Sequence, residues 1–158
     1  SISVSTVGIA GGIAKIAAAA PQVNLAISLH FCENSERNEF VPANREYDLE
    51  NLKADLEKYF KRSNRKVFLE YILFKNINDS PKDAKKLVAF IKHFEKPRLL
   101  HVNLIRYNES ENNKMFKPSG EMQIIVFQKY LLKNNINCTI RKSLGHDIQG
   151  ACGQLTFR

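Results

Sequence analysis

The side chains best able to do chemistry in this sequence are three thiols, four imidazoles and a few hydroxyls, amides and carboxylates placed where apolar runs stop. Cys152 sits in the run Gly145-His146-Asp147-Ile148-Gln149-Gly150-Ala151-Cys152-Gly153-Gln154-Leu155. As a thiolate it could attack or carry a group, although a lone loop cysteine is more often a small neutral side chain. Cys138 lies inside an apolar run and is expected to pack in the core, while Cys32 follows a strand end as an incidental thiol. An odd number of cysteines without CxxC spacing fits reduced thiols in a cytoplasmic setting and supplies no complete metal site. His30 stands in Ser28-Leu29-His30, whereas His93 and His101 fall in helix and strand contexts that suit hydrogen-bonded structural roles. Ser5 and Thr6 with Gly8 could form no more than a helix entry. Glu70, inside the apolar run Val67 to Phe74, needs a partner if buried and none if it points to solvent at an edge.

Regular elements must position these groups, and the hydrophobic pattern supplies them. Short apolar runs rich in β-branched and aromatic residues predict strands over Val23 to Leu29, Lys66 to Phe74, Leu99 to Ile105 and Ile136 to Arg141. Ile2 to Ser5 reads as the end of a fifth strand. The runs are continuous rather than alternating, which predicts strands covered on both faces. Leu49, Leu52, Leu56 and Phe60 make one stripe of an amphipathic helix. Ser80-Pro81 is a helix start whose stripe continues through Leu87, Val88, Ile91 and Phe94. Ser119 is expected to open a helix carrying Ile124, Phe127 and Leu131, and Ile9 to Ala20 another, weakened by Gly11 and Gly12. Alternating strand and helix implies an α/β fold of βαβ units with a parallel sheet and right-handed crossovers.

Ligands of such sheets sit at the carboxyl ends of the strands. That rule marks Ser5 to Gly8, Ser28 to Cys32, Tyr107 to Ser110 and Lys142 to Gly153. The 158 residues suit one domain, and 44% hydrophobic with 25% charged residues argues against disorder. The net charge of +8 favours a polyanionic partner, since lysines and arginines near phosphates release counterions. The lysine-rich stretches Lys53 to Lys66 and Lys82 to Lys92 read mainly as solvated helix faces, which leaves Arg141 and Lys142 as the better candidates for phosphate contact, a salt-bridged strand end being the equal alternative. The most apolar stretch is too short to span a bilayer, so no membrane partner is expected.

Read together and in order, the strand-end segments resemble the RlmN/Cfr family of radical S-adenosylmethionine (SAM) RNA methyltransferases. The resemblance rests on Val4-Ser5-Thr6-Val7-Gly8, Ala26-Ile27-Ser28-Leu29-His30, Asn103 to Asn108 and the terminal Ala151-Cys152-Gly153-Gln154-Leu155. Arg37 with Val41-Pro42 and Asn44, Glu70-Tyr71, Asn78-Asp79 and Arg141-Lys142 also match. It runs from Ser5 to Leu155, and it implies that residues 1–158 form the C-terminal half of a partial (β/α) barrel.

By that resemblance Ser5, Ser28, Leu29, His30 and Asn108 line the SAM site, and Cys152 carries the methyl group. One SAM methylates the cysteine, and a second is cleaved at a [4Fe–4S] cluster to give the radical that activates the S-methyl group. The substrate implied is an adenine of 23S rRNA, with tRNA a second candidate. Methylation at carbon 2, or at carbon 8 as in the subgroup that confers antibiotic resistance, stays open. The cluster ligands, a basic glutamate and a resolving cysteine are expected upstream of Ser1, in a missing N-terminal half, and an electron donor must reduce the cluster. This chain alone is therefore expected to be inactive. Arg106, His146 and Ala43 depart from the family's usual residues. The competing reading is a standalone RNA- or nucleotide-binding α/β module without catalysis.

Overall fold

Strands form where the apolar runs stand: β1 (Ser3–Thr6), β2 (Asn24–Ser28), β3 (Val67–Leu73), β4 (Leu100–Arg106) and β5 (Asn137–Arg141). In the computed structural model, which describes residues 2–109 and 115–141, they make one parallel sheet in sequence order. The helices are α1 (Gly12–Ala19), α2 (Asn34–Phe40), α3 (Leu49–Arg62), α4 (Pro81–Lys92) and α5 (Glu121–Lys133), with short 3-10 turns at Pro42–Arg45 and Pro97–Leu99.

Strand order decides where the helices lie. When each right-handed crossover steps to the next neighbour in one direction, every connecting helix falls on the same side of the sheet. Burial follows that rule. Val67, Leu69, Tyr71 and Leu73 of β3 alternate with half-exposed Phe68, Glu70 and Ile72, and β4 alternates likewise. The buried set packs against Leu52 and Leu56 of α3, Leu87 and Ile91 of α4, and Phe127 and Leu131 of α5 in one core. Among the described residues β3 and β4 are thus covered on one face rather than on both as the apolar runs suggested, whereas β2 buries Leu25, Ala26 and Ile27 in succession. Among the described residues no helix covers the other face, which carries a polar set of Ser5, Ser28, Glu70, Asn103, Thr139 and Arg141 beside the apolar Ala26, Phe68, Ile72 and Ile105.

Local signals explain the helix boundaries. The Asp48 side chain accepts from Asn51 N–H at the start of α3. Ser80 and Asp83 form a reciprocal capping box at α4, with Pro81 in the first turn. At α5 the start moves one residue from expectation. Gly120 is the N-cap, and Ser119 Oγ donates to Asp79 Oδ2 (2.8 Å) instead of capping the helix. Gly11, with φ 70°, enters α1 in a left-handed conformation that favours glycine. Cys138 is buried in the core as expected, and its burial pushes the thiol up to about 12. No helix among the described residues is long and apolar enough to cross a membrane.

Candidate functional site

The carboxyl ends of β1, β2 and β4 bring together four of the five residues expected to line a ligand site. Ser5 and Ser28 meet hydroxyl to hydroxyl at 3.1 Å. His30 follows directly, and half-buried Tyr107 and buried Asn108 stand just past the end of β4. Leu29 is different. Its side chain is 0% exposed in the helix-side core, its N–H donates to Glu70 O (3.0 Å) and its carbonyl accepts from Arg37. It braces the site from behind. Arg141 ends β5 with its side chain 65% exposed. Lys142 and Cys152 lie outside the described residues.

Arg37, on α2, is what fixes the β1 and β2 ends. Its side chain is fully buried, and four of its five N–H groups have acceptors. Nε donates to Leu29 O (3.0 Å), and Nη2 to Val7 O (2.6 Å) and Ser28 O (3.1 Å). Nη1 donates to Asn44 Oδ1 (2.7 Å), whose amide nitrogen in turn holds Asn34 and Asn38. Burial lowers the guanidinium's pKa to about 10, still well above neutrality. The charge is thus carried by backbone and amide dipoles, and among the described residues Arg37 has no carboxylate in an ion pair.

Asn78 closes the other side. Its amide nitrogen donates to His30 O (2.9 Å) and Ile72 O (2.8 Å), and its Oδ1 accepts from Phe74 N–H (2.8 Å). The three carbonyls of Ser28-Leu29-His30 are therefore all held by two buried side chains. Tethering of this kind keeps a site in one geometry before any ligand arrives.

His30 is set as a donor by the same frame. It adopts φ 58°, and its Nδ1 accepts from Ile72 N–H (3.2 Å). A neutral ring bonded that way carries its proton on Nε2. Burial first, and then the Arg37 charge, lower its pKa from 6.5 to about 4. At neutral pH the ring is an uncharged Nε2–H donor.

Arg37, Asn44 and Asn78 appeared in the sequence only as matching residues without a role. Their partners are carbonyls of other segments, as far as 48 residues away for Asn78 and His30, so residue types and spacing gave no cue. The departure at Arg106 acquires a contact, since its Nε donates to Ser119 O (3.4 Å). Among the described residues no group of three or more His, Cys, Asp or Glu side chains could hold a metal ion. Cys32 packs against the core, and burial, followed by the Glu36 charge, raises its pKa far above the usual thiol range.

No family model matches the sequence. The chain is 40% identical over 154 residues to a probable dual-specificity RNA methyltransferase RlmN of Enterococcus faecalis, covering 98% of this chain and 43% of that protein. It is 39% identical over 156 residues to the ribosomal RNA large subunit methyltransferase Cfr of Bacillus velezensis, covering 98% and 45%. The chain thus spans less than half the length of the relatives it matches. A crystal structure of a radical SAM methyltransferase from Sphaerobacter thermophilus superposes with a TM-score of 0.90 at 36% identity, over 97% of this chain and 43% of that one. A domain of a pyruvate-formate lyase-activating enzyme from Bacteroides vulgatus, 15% identical with a TM-score of 0.67 over 89% and 80%, shares the fold.

Two outcomes follow from the frame. Arg37→Met removes a donor from each of three carbonyls, and it lowers unfolding free energy by roughly 3 kcal/mol in urea titration. Arg37→Lys, with a single ammonium, falls between. A loss within about 0.5 kcal/mol would show that the carbonyls do not depend on Arg37. His30 is the pH test. Its folded pKa of about 4 lies below 6.5, so between these values the unfolded chain binds the extra proton. Stability is full above pH 6.5 and falls as pH drops toward 4. His30→Asn keeps an acceptor for Ile72 N–H and tolerates positive φ, and it flattens that slope; an unchanged slope contradicts the assignment.

Proposed function

The chain belongs, over the stretch it spans, to the RlmN/Cfr family, and on that premise we propose that it is the SAM-binding, methyl-carrying part of an RNA adenine methyltransferase. The observation that carries the reading is the open polar end of β1 and β2. There the Ser5 and Ser28 hydroxyls and the His30 Nε2–H stand on backbone held by Arg37 and Asn78. A nucleoside sulfonium offers hydroxyls, ring nitrogens and a carboxylate, and a donor-rich face of hydroxyls and a neutral imidazole fits such groups. The residues present fit SAM. Among the described residues none fits an iron–sulfur cluster, which needs spaced thiolates, and in the proposed whole enzyme its ligands would come from outside this stretch.

SAM supplies the methyl group and, reduced at the cluster, the radical chemistry that an unreactive adenine carbon requires. The residues of this chain bind, orient and carry. Cys152 would be the methyl carrier: as a thiolate, its proton already given up, its sulfur would accept the methyl group that SAM supplies, leaving S-adenosylhomocysteine. The target would be adenine carbon 2 or carbon 8 in 23S rRNA, with tRNA a further substrate, in the cytoplasm. Arg141 and Lys142 would meet backbone phosphate, in keeping with the net charge of +8. The whole catalytic unit would need the N-terminal half and an electron donor.

In the full-length enzyme, Cys152→Ala abolishes RNA methylation while SAM binding stays at the wild-type level. Mass spectrometry of digested RNA places the wild-type methyl group on carbon 2 or 8. Normal turnover in the variant contradicts the carrier role, and a product methylated at neither carbon contradicts the reaction.

A further inference from the structure

The open face of the sheet carries a polar row of which the SAM positions named above take in only Ser28. Ser28 pairs in register with Glu70, Glu70 with Asn103, and Asn103 with Thr139, so the four side chains lie abreast across β2 to β5. Their hydrogen bonds run one way. Thr139 Oγ1 donates to Asn103 Oδ1 (2.9 Å), so His101 Nε2, 3.1 Å from the same hydroxyl, must donate to it. Asn103 Nδ2 then donates to Glu70 Oε1 (2.9 Å). A chain of donors pointing in one direction polarises each successive bond and ends on an acceptor. Here it ends on one oxygen of a carboxylate.

The other oxygen is unaccounted for. Glu70 Oε2 is shut off from solvent and has no hydrogen-bond partner among the described residues. The nearest cation is Arg141, whose Nη1 stands 3.5 Å away on a side chain that is 65% exposed. That pairing supplies charge without a well-formed hydrogen bond. An acceptor left in this condition costs stability, and native folds rarely keep one without a use. Glu70 sits on the central strand, one register step from Ser28, so it is not the solvent-facing edge residue that its sequence setting also allowed.

We propose that Glu70 is a further ligand-binding residue of the same site, accepting hydrogen bonds through Oε2 from the ribose hydroxyls of the bound adenosyl group. This rests on the SAM-binding reading above. A carboxylate already offset by a guanidinium favours neutral donors over a second cation, which selects the ribose diol over the α-ammonium group. Ser28 stands beside Glu70 to share the diol. Ligand entry turns Arg141 Nη1 aside from Oε2 while the guanidinium stays near enough to offset the charge, and the donor chain from His101 keeps the carboxylate from turning with it.

The test is titration calorimetry on the full-length enzyme with S-adenosylhomocysteine, which cannot react, and with its 2′,3′-dideoxyribose analogue. Wild-type protein binds the analogue about tenfold more weakly, the size of one lost hydrogen bond to a charged group. Glu70→Gln keeps an acceptor for Asn103 but presents a donor in place of Oε2. It binds S-adenosylhomocysteine about tenfold more weakly and distinguishes the two ligands only by what Ser28 contributes. Arg141→Met leaves S-adenosylhomocysteine binding as tight as wild type or tighter. Glu70→Gln with wild-type affinity, or an equal loss for both ligands, overturns the proposal and leaves the SAM reading standing. So does an Arg141→Met loss matching that of Glu70→Gln, which would make Glu70 a mere anchor for Arg141. Wild-type protein that binds neither ligand overturns both.

Discussion

A guanidinium taken out of water must be given acceptors, and Arg37 finds three of its four at the ends of two strands. Val7, Ser28 and Leu29 turn their carbonyls toward one side chain, and Asn44 completes the shell. Unlike a carboxylate partner, carbonyls fix the backbone itself. The segments that present Ser5, Ser28 and His30 are thus tied to a common centre from beneath, and the same charge helps keep the His30 ring neutral. The same cation anchors α2 and leads into the amide chain through Asn44 to Asn34 and Leu49 N–H.

Topology supplies the rest. Sequential strand order with crossovers of one hand places every helix on one side, and it leaves the other side free for a polar row that no doubly covered sheet could afford. The strand ends then crowd their functional groups at one rim, braced by Asn78 and by the aromatic group of Phe31, Phe74, Tyr107 and Phe116.

Strand positions were legible because β-branched and aromatic residues cluster in short runs, and α3 and α4 because their stripes and caps are strong. The open face was not. Phe68 and Ile72 are apolar yet half-exposed beside Glu70, so the run Val67 to Phe74 hides an alternation that only burial reveals. α2 was invisible for the opposite reason. Asn34-Ser35-Glu36-Arg37-Asn38-Glu39-Phe40 has no apolar stripe, and the one member it buries fully is a cation. At the site, Ser5, Ser28 and His30 were readable through the resemblance of their segments. The side chains that hold them were present in the same motifs, but their partners are backbone groups brought near only by folding.

The central claim is that the helix-free carboxyl end of the sheet is the nucleoside site of this chain. Amide chemical-shift mapping of isotope-labelled protein titrated with S-adenosylhomocysteine tests it directly. The account predicts shifts concentrated at Ser5 to Gly8, Ser28 to Phe31, Glu70 and Tyr107 to Asn108. The groove of about 850 Å³ between α1 and α3, lined by Ile13, Ala17, Tyr59 and Arg62, should be silent. Shifts centred on that groove, or none at saturating ligand, would contradict the account.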